Sequence, residues 1–288
     1  QRQMCIRDRY SIGVGLADSY STITKFDNPE GALNNYYEGK RIGEIWGYVT
    51  DGFIQDEAEA QRMATIQGDI SKTWKVGDIR YKDLDGVEGI TSAKTIYNTG
   101  DQKVIGNTTP RYSFNINASA SWKGFDVRVF FEGIAKRDLW IDSPVFWGFP
   151  SNSNVWQSAV NDYHVDNSWS ENNTNAYYPL PSYSGRSKQT QTKYLQNGAY
   201  IRLKDLTISY TIPKAWISTV GIEQLKVFAS GQNLWVGTKL FKYLDPDIVS
   251  TRQSNSKDNK LVGNLTSDGK AYPFSPVSYT HLTLPTNS

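Results

Sequence analysis

The chain has 288 residues, with 31 Lys and Arg against 29 Asp and Glu, so it lacks the basic excess that nucleic-acid binding or a polybasic membrane-surface role needs. It contains no run of about 18 apolar residues, which excludes a transmembrane helix. The negative mean hydropathy leaves a soluble β protein or a membrane β-barrel, whose half-polar strands escape hydropathy scales.

The first residues, Gln1 to Arg9, are charged and carry no apolar core, so they do not read as a secretory signal. From Tyr10 to Phe26 a strand is expected, because Ile12, Val14 and Leu16 alternate with small residues. Asp27 to Thr109 is long and mixed. Within it Asp56, followed by good helix formers, predicts a capped helix through Ile66. Arg111 to Trp122 has the clearest alternation. Tyr112, Phe114, Ile116, Ala118, Ala120 and Trp122 face one way, and Ser113, Asn115, Asn117, Ser119 and Ser121 the other. Lys123-Gly124 predicts a tight turn, after which Phe125, Val127, Val129 and Phe131 resume the apolar face and Asp126, Arg128 and Glu132 share the opposite one.

A loop follows from about Ala135 to Ala199, rich in Ser, Asn, Tyr and Trp. Leu206, Ile208, Tyr210 and Ile212 then alternate with Thr207, Ser209 and Thr211 until Pro213 removes a ladder donor. Pro213 to Trp216 predicts one helical turn, with Gly221 beyond its end. Leu225, Val227 and Ala229 alternate with Lys226, Phe228 and Ser230, and a polar loop runs from Val236 to about Lys270.

The connections are lopsided: short turns on one side, loops of dozens of residues on the other. Soluble domains seldom carry loops beyond roughly 12–15 residues, whereas outer-membrane barrels pair short periplasmic turns with long external loops. Length agrees. The twelve residues from Arg111 to Trp122, at ~3.3 Å each and tilted near ~40°, rise about 30 Å, enough to cross an apolar band of about 25 Å. The expected fold is therefore all-β, a partial transmembrane antiparallel barrel. A secreted soluble β-sandwich that binds carbohydrate is the alternative, and a glycan-degrading enzyme a third reading.

Catalytic signatures are sparse. His164 has no second histidine nearby for a metal site or a triad. Gly263 to Lys270 misses the phosphate-loop spacing, and no carboxylate pair is singled out for glycoside cleavage, so no enzyme is expected. Asp83-Leu84-Asp85-Gly86 hints at calcium through Asp83 and Asp85, but Val87 and Lys94 fall where an EF-hand needs ligands, so an Asx-capped turn explains it better. The stronger lead is the aromatic loop. Trp140, Trp147, Trp156, Trp169 and Tyr178, set among amides and hydroxyls, are candidates for stacking on sugar rings. The alternative is that they pack the loop on itself or on a partner. In that case Asn115, Asn117, Arg128 and Glu132 on the polar strand faces become the candidates.

Several segments resemble one family. Tyr200–Pro213, Gly231-Gln232-Asn233-Leu234-Trp235 and Asp245-Pro246-Asp247 are similar to the C-terminal barrel region of SusC/RagA-type TonB-dependent outer-membrane transporters. So are Gly100-Asp101-Gln102-Lys103-Val104-Ile105-Gly106-Asn107 with Pro110-Arg111-Tyr112, and Ile45 to Phe53. The resemblance covers roughly residues 10–274. It implies the C-terminal strands, about six, of a barrel of about 22 strands with a plugged lumen. It also implies import of oligosaccharides, less often peptides, across a bacterial outer membrane. TonB would supply the energy through a region upstream of Tyr10, a SusD-like lipoprotein would be the lid, and outer-membrane lipid would be the surroundings. Residues 1–9 and 275–288 resemble translated adapter sequence and are expected to be foreign. Without them the body has no cysteine, and the family's final strand and C-terminal aromatic are expected to be missing.

Overall fold

The computed structural model describes residues 8–151, 155–218, 221–246 and 276–283. In chain order its strands and helices are β1 (Arg9–Ala17), β2 (Glu44–Tyr48), β3 (Thr50–Phe53), α1 (Glu57–Ile66), β4 (Ile79–Tyr81), β5 (Gln102–Asn107), β6 (Arg111–Trp122), β7 (Phe125–Lys136), β8 (Asp138–Leu139), α2 (Pro144–Trp147), α3 (Asp162–Asn167), β9 (Gln196–Asn197), β10 (Tyr200–Thr211), α4 (Lys214–Ile217), β11 (Lys226–Thr238) and β12 (Val277–Thr283). Six strands form one antiparallel sheet in the order β1-β6-β7-β10-β11-β12.

The alternation of Arg111–Trp122 becomes register. Asn115 lies opposite Glu132 and Ser119 opposite Arg128 on one face, while Ile116 lies opposite Phe131 and Ala118 opposite Val129 on the other. The β6–β7 turn holds two residues, Lys123 (φ 47°) and Gly124 (φ 89°). Two left-handed residues make a turn whose twist matches a hairpin, and Gly124 adopts that region without a Cβ penalty.

β10 contains a feature its alternation only half reveals. Ile201 and Leu203 are odd-numbered, whereas Leu206, Ile208 and Tyr210 are even, so an unbroken strand would put them on opposite faces. A bulge at Lys204 inserts one residue between the pairs Leu203–Phe131 and Asp205–Phe130. The register slips by one, and both apolar sets reach the same face. β11 takes up the same irregularity, with Leu203 opposite Trp235 but Asp205 opposite Gln232, and Asn233 at φ 53°.

The sheet therefore has one apolar face, and that face is open. Ile12 is 77% exposed and Ile208 45%, and among the described residues none of this face joins the buried core. A soluble sandwich would have to cover it. At the turn end Phe125 packs on Tyr210, 4.4 Å between ring centres, beside exposed Trp122.

The core lies elsewhere. The connections between β1 and β6, β7 and β10, and beyond β11 gather at the other end and bury Ile54, Ile79, Leu139, Phe146, Tyr194 and Phe241 in one cluster. Tyr48 N–H donates to Thr190 O at 2.8 Å, Thr192 N–H to Tyr48 O at 3.1 Å, and the Phe146 and Phe241 rings lie 5.3 Å apart. The first two long connections and the described start of the third thus sit on one side, as their lengths predict. Helix α1 starts where expected, with the Asp56 carboxylate accepting from Glu59 N–H at 2.7 Å. β1 is shorter than the expected Tyr10–Phe26, because Asp18 ends it by taking the Arg111 guanidinium. Of the two stretches read as foreign, Arg9 opens β1 and β12 pairs by backbone with the edge of β11, from Gln232–Val277 to Lys226–Thr283. Gly263–Lys270 lies outside the described residues.

Candidate functional site

The aromatic loop folds inward. Trp140, Trp147, Trp169 and Tyr178 are all buried. Trp147 packs against Tyr194 at 4.7 Å and Phe146 at 5.2 Å, and its indole N–H donates to Ile141 O at 2.9 Å. Tyr178 stacks on Tyr194 at 6.1 Å. Trp169 closes over Gly77, where an added Cβ would meet the indole at 2.3 Å. The sugar-stacking surface expected of these four residues is not presented, because other side chains cover their faces. Trp156 differs, at 93% exposed on a short turn.

Buried polar groups fasten the loops to one another. Arg186 donates to Asp78 Oδ2 at 2.6 Å, and Ser187 donates to Asp78 Oδ1 at 3.0 Å. The Lys188 ammonium donates to the carbonyls of Phe149, Pro150 and Ser182 at 2.9, 3.0 and 2.7 Å. Burial pulls its pKa down to about 8. His164 caps α3: its Nδ1 accepts from Asn161 N–H at 3.3 Å and its Nε2 lies 3.1 Å from Phe146 O. Burial lowers its pKa below the usual histidine value.

The acidic turn is built as an Asx turn. Asp83 accepts from Gly86 N–H at 2.7 Å and Asp85 from Val87 N–H at 2.8 Å. Asp101 joins them, its carboxylate within 4.8 Å of theirs, but it too is occupied by the N–H groups of Leu84 and Thr91 at 2.6 and 2.8 Å.

The polar sheet face carries the remaining candidates in rows. Asn115, Glu132 and Arg202 form one row, Asn117, Phe130 and Asp205 the next, and Ser119, Arg128 and Thr207 a third. A hollow of about 490 Å³ opens over the first row and the Ser113–Ile134–Tyr200 row beside it, lined by Gly15, Ser113, Asn115, Glu132 and Tyr200 and reaching Phe130 of the second row. A smaller one of about 180 Å³ lies nearer the turns, where Lys226 Nζ meets Asp126 at 2.9 Å beside Arg128. The structure thus brings Asn115 and Glu132 together, sets Arg128 apart, and lays the Asn117 amide over Gly13. Phe130 and Tyr200 are the members that alternation alone does not single out. The clue for Phe130 is the doublet Phe130-Phe131, one of which must face the polar side.

A wall with one open apolar face, one polar face and long connections gathered at one end defines a membrane β-barrel segment. No family model matches the chain. It is similar to TonB-dependent receptor P3 of Formosa agariphila, 29% identical over 226 residues, which are 78% of this chain and 20% of that protein. To TonB-dependent receptor P26 of the same organism it is 24% identical over 180 residues, 60% of this chain and 16% of that one. Its fold matches the RagAB peptide importer in the closed-closed state with a TM-score of 0.61 at 19% identity, over 98% of this chain and 28% of that one. In the open-open state the values are 0.55 and 18%, over 85% and 24%. The chain thus spans about a fifth of the curated relatives and about a quarter of the solved chains. The chain is similar in sequence to a stretch of TonB-dependent receptors, and its fold is a partial β-barrel like the matching part of the RagAB importer.

Proposed function

We propose that the chain forms part of the barrel wall and external loops of an outer-membrane importer of oligomeric nutrients. TonB supplies the energy through the rest of the protein, a SusD-like lipoprotein covers the loop end, and the role is transport rather than catalysis. The observation that carries this reading is the two-faced sheet: Ile12 and Ile208 sit on an open apolar face while Asn115 and Glu132 share the polar one. The proposed substrate is an oligosaccharide. A peptide is the second reading, favoured by the burial of four of the five aromatic candidates and by the peptide-importer neighbours.

Disrupting the gene in its host, then following uptake of labelled neutral oligosaccharides and of labelled oligopeptides, tests the reading. Loss of oligosaccharide uptake supports it, and loss of peptide uptake alone moves the substrate to the second reading. Unchanged uptake of both overturns import.

A further inference from the structure

We infer that the hollow on the polar face is a subsite for one ring of a neutral sugar chain, with Phe130 and Tyr200 as its platforms and Asn115 and Glu132 as its polar contacts; this rests on the import reading above.

The register supplies the geometry. Tyr200 pairs with Ile134 and Phe130 with Asp205, so the two rings stand on the same face on either side of the Glu132 row. Like-facing rows along a strand are about 7 Å apart, which leaves room between the rings for a pyranose. The opposite wall is low because Gly15 contributes no side chain, and the Asn115 amide leans over it, 2.7 Å from where a Cβ would stand. The hollow therefore has an aromatic residue on each side of the Glu132 row, with the Glu132 carboxylate between them and the Asn115 amide over the low Gly15 wall.

Charge selects the ligand class. Glu132 is paired with Lys204 at 2.8 Å. A cationic peptide side chain would have to compete with that lysine, whereas a hydroxyl can accept from the ammonium and donate to the carboxylate without breaking the pair. Stacking on a ring, with amide and carboxylate partners at its edge, suits a neutral polyol with an apolar face. The rings sit on regular strands, so they are held in place without a ligand.

The test uses the full-length transporter in its host membrane, with labelled maltoheptaose, laminariheptaose and xylohexaose as probes and a labelled heptapeptide as control. Phe130→Leu keeps apolar bulk and removes the platform, and Asn115→Ala removes the amide on an exposed position. Barrel assembly is checked for each by heat-modifiable mobility. For whichever glycan the wild type imports, KM is expected to rise about tenfold or more in each assembled variant, peptide handling being unchanged. If Phe130→Leu does not assemble, Asn115→Ala decides alone. Unchanged glycan KM in assembled variants overturns the subsite and leaves import standing. Import of the peptide but no glycan by the wild type overturns both the subsite and the oligosaccharide reading. No uptake of any probe by wild-type protein overturns the import reading, and the subsite with it.

Discussion

Asp78 and Arg186 stand 108 residues apart in sequence, yet the carboxylate and guanidinium meet at 2.6 Å with both side chains buried. Asp78 also accepts from Lys75 N–H at 2.8 Å and from Ser187 Oγ at 3.0 Å, so one carboxylate ties the first long connection to the second.

Removing one partner of a buried pair leaves the other charged and unmatched, which costs about 3–5 kcal/mol. Asp78→Ala in the full-length protein should therefore open the loop body while leaving the barrel assembled. Limited proteolysis on intact cells checks this: rapid cleavage within residues 135–199 is expected, with the barrel still heat-modifiable. Cleavage at the wild-type rate would mean the pair does not hold the loops.

The aromatic residues divide by burial. Trp147→Ala leaves a cavity among Phe146, Tyr178 and Tyr194 and should cost about 3–5 kcal/mol of loop-body stability. Trp156→Ala, at an exposed position, should stay within about 0.5 kcal/mol. Hydrogen exchange on the loop amides gives both values. Equal effects would contradict the core described above.

Acid should loosen the same body through His164. Its neutral ring accepts at Nδ1 from Asn161 N–H, and protonation abolishes that acceptor. Because burial lowers the folded pKa, the unfolded chain takes up a proton that the folded one refuses once the pH drops below about 6.5. Stability from the neutral ring is thus fully present above ~6.5 and is lost progressively as pH falls below that value through the lower folded pKa. Exchange of the α3 amides should accelerate from pH 7.5 to 5, and His164→Gln should flatten the dependence. The same acceleration in His164→Gln would assign it to another group.

How much of this the sequence discloses depends on how local each cause is. β6, its two-residue turn and α1 were legible residue by residue, because side-chain period, Gly124 and the Asp56 cap act over a few positions. The Lys204 bulge was visible only as a clash of parity between Leu203 and Leu206, and its position needed the neighbouring strand. The fate of Trp140, Trp147, Trp169 and Tyr178 was not legible at all. They are buried in one cluster with residues as distant in sequence as Ile54 and Phe241, held together by ties such as Asp78–Arg186 that no periodicity announces. The same holds for the hollow, since Tyr200 becomes a neighbour of Glu132 and Phe130 only through the pairing of β7 with β10.

The facing of β10 and β6 tests the central claim most directly. Asn117, exposed on the polar face, is the partner for comparison with Ile208. In the full-length protein Ile208→Arg puts a charge toward lipid and should cost about 2–4 kcal/mol near the midplane, with loss of assembled barrel. Asn117→Arg, toward the lumen, should assemble like the wild type. The measurement is the fraction of membrane-assembled, heat-modifiable barrel for the two variants side by side. Loss in Ile208→Arg alone is the predicted result; equal loss, or loss in Asn117→Arg alone, would contradict the barrel.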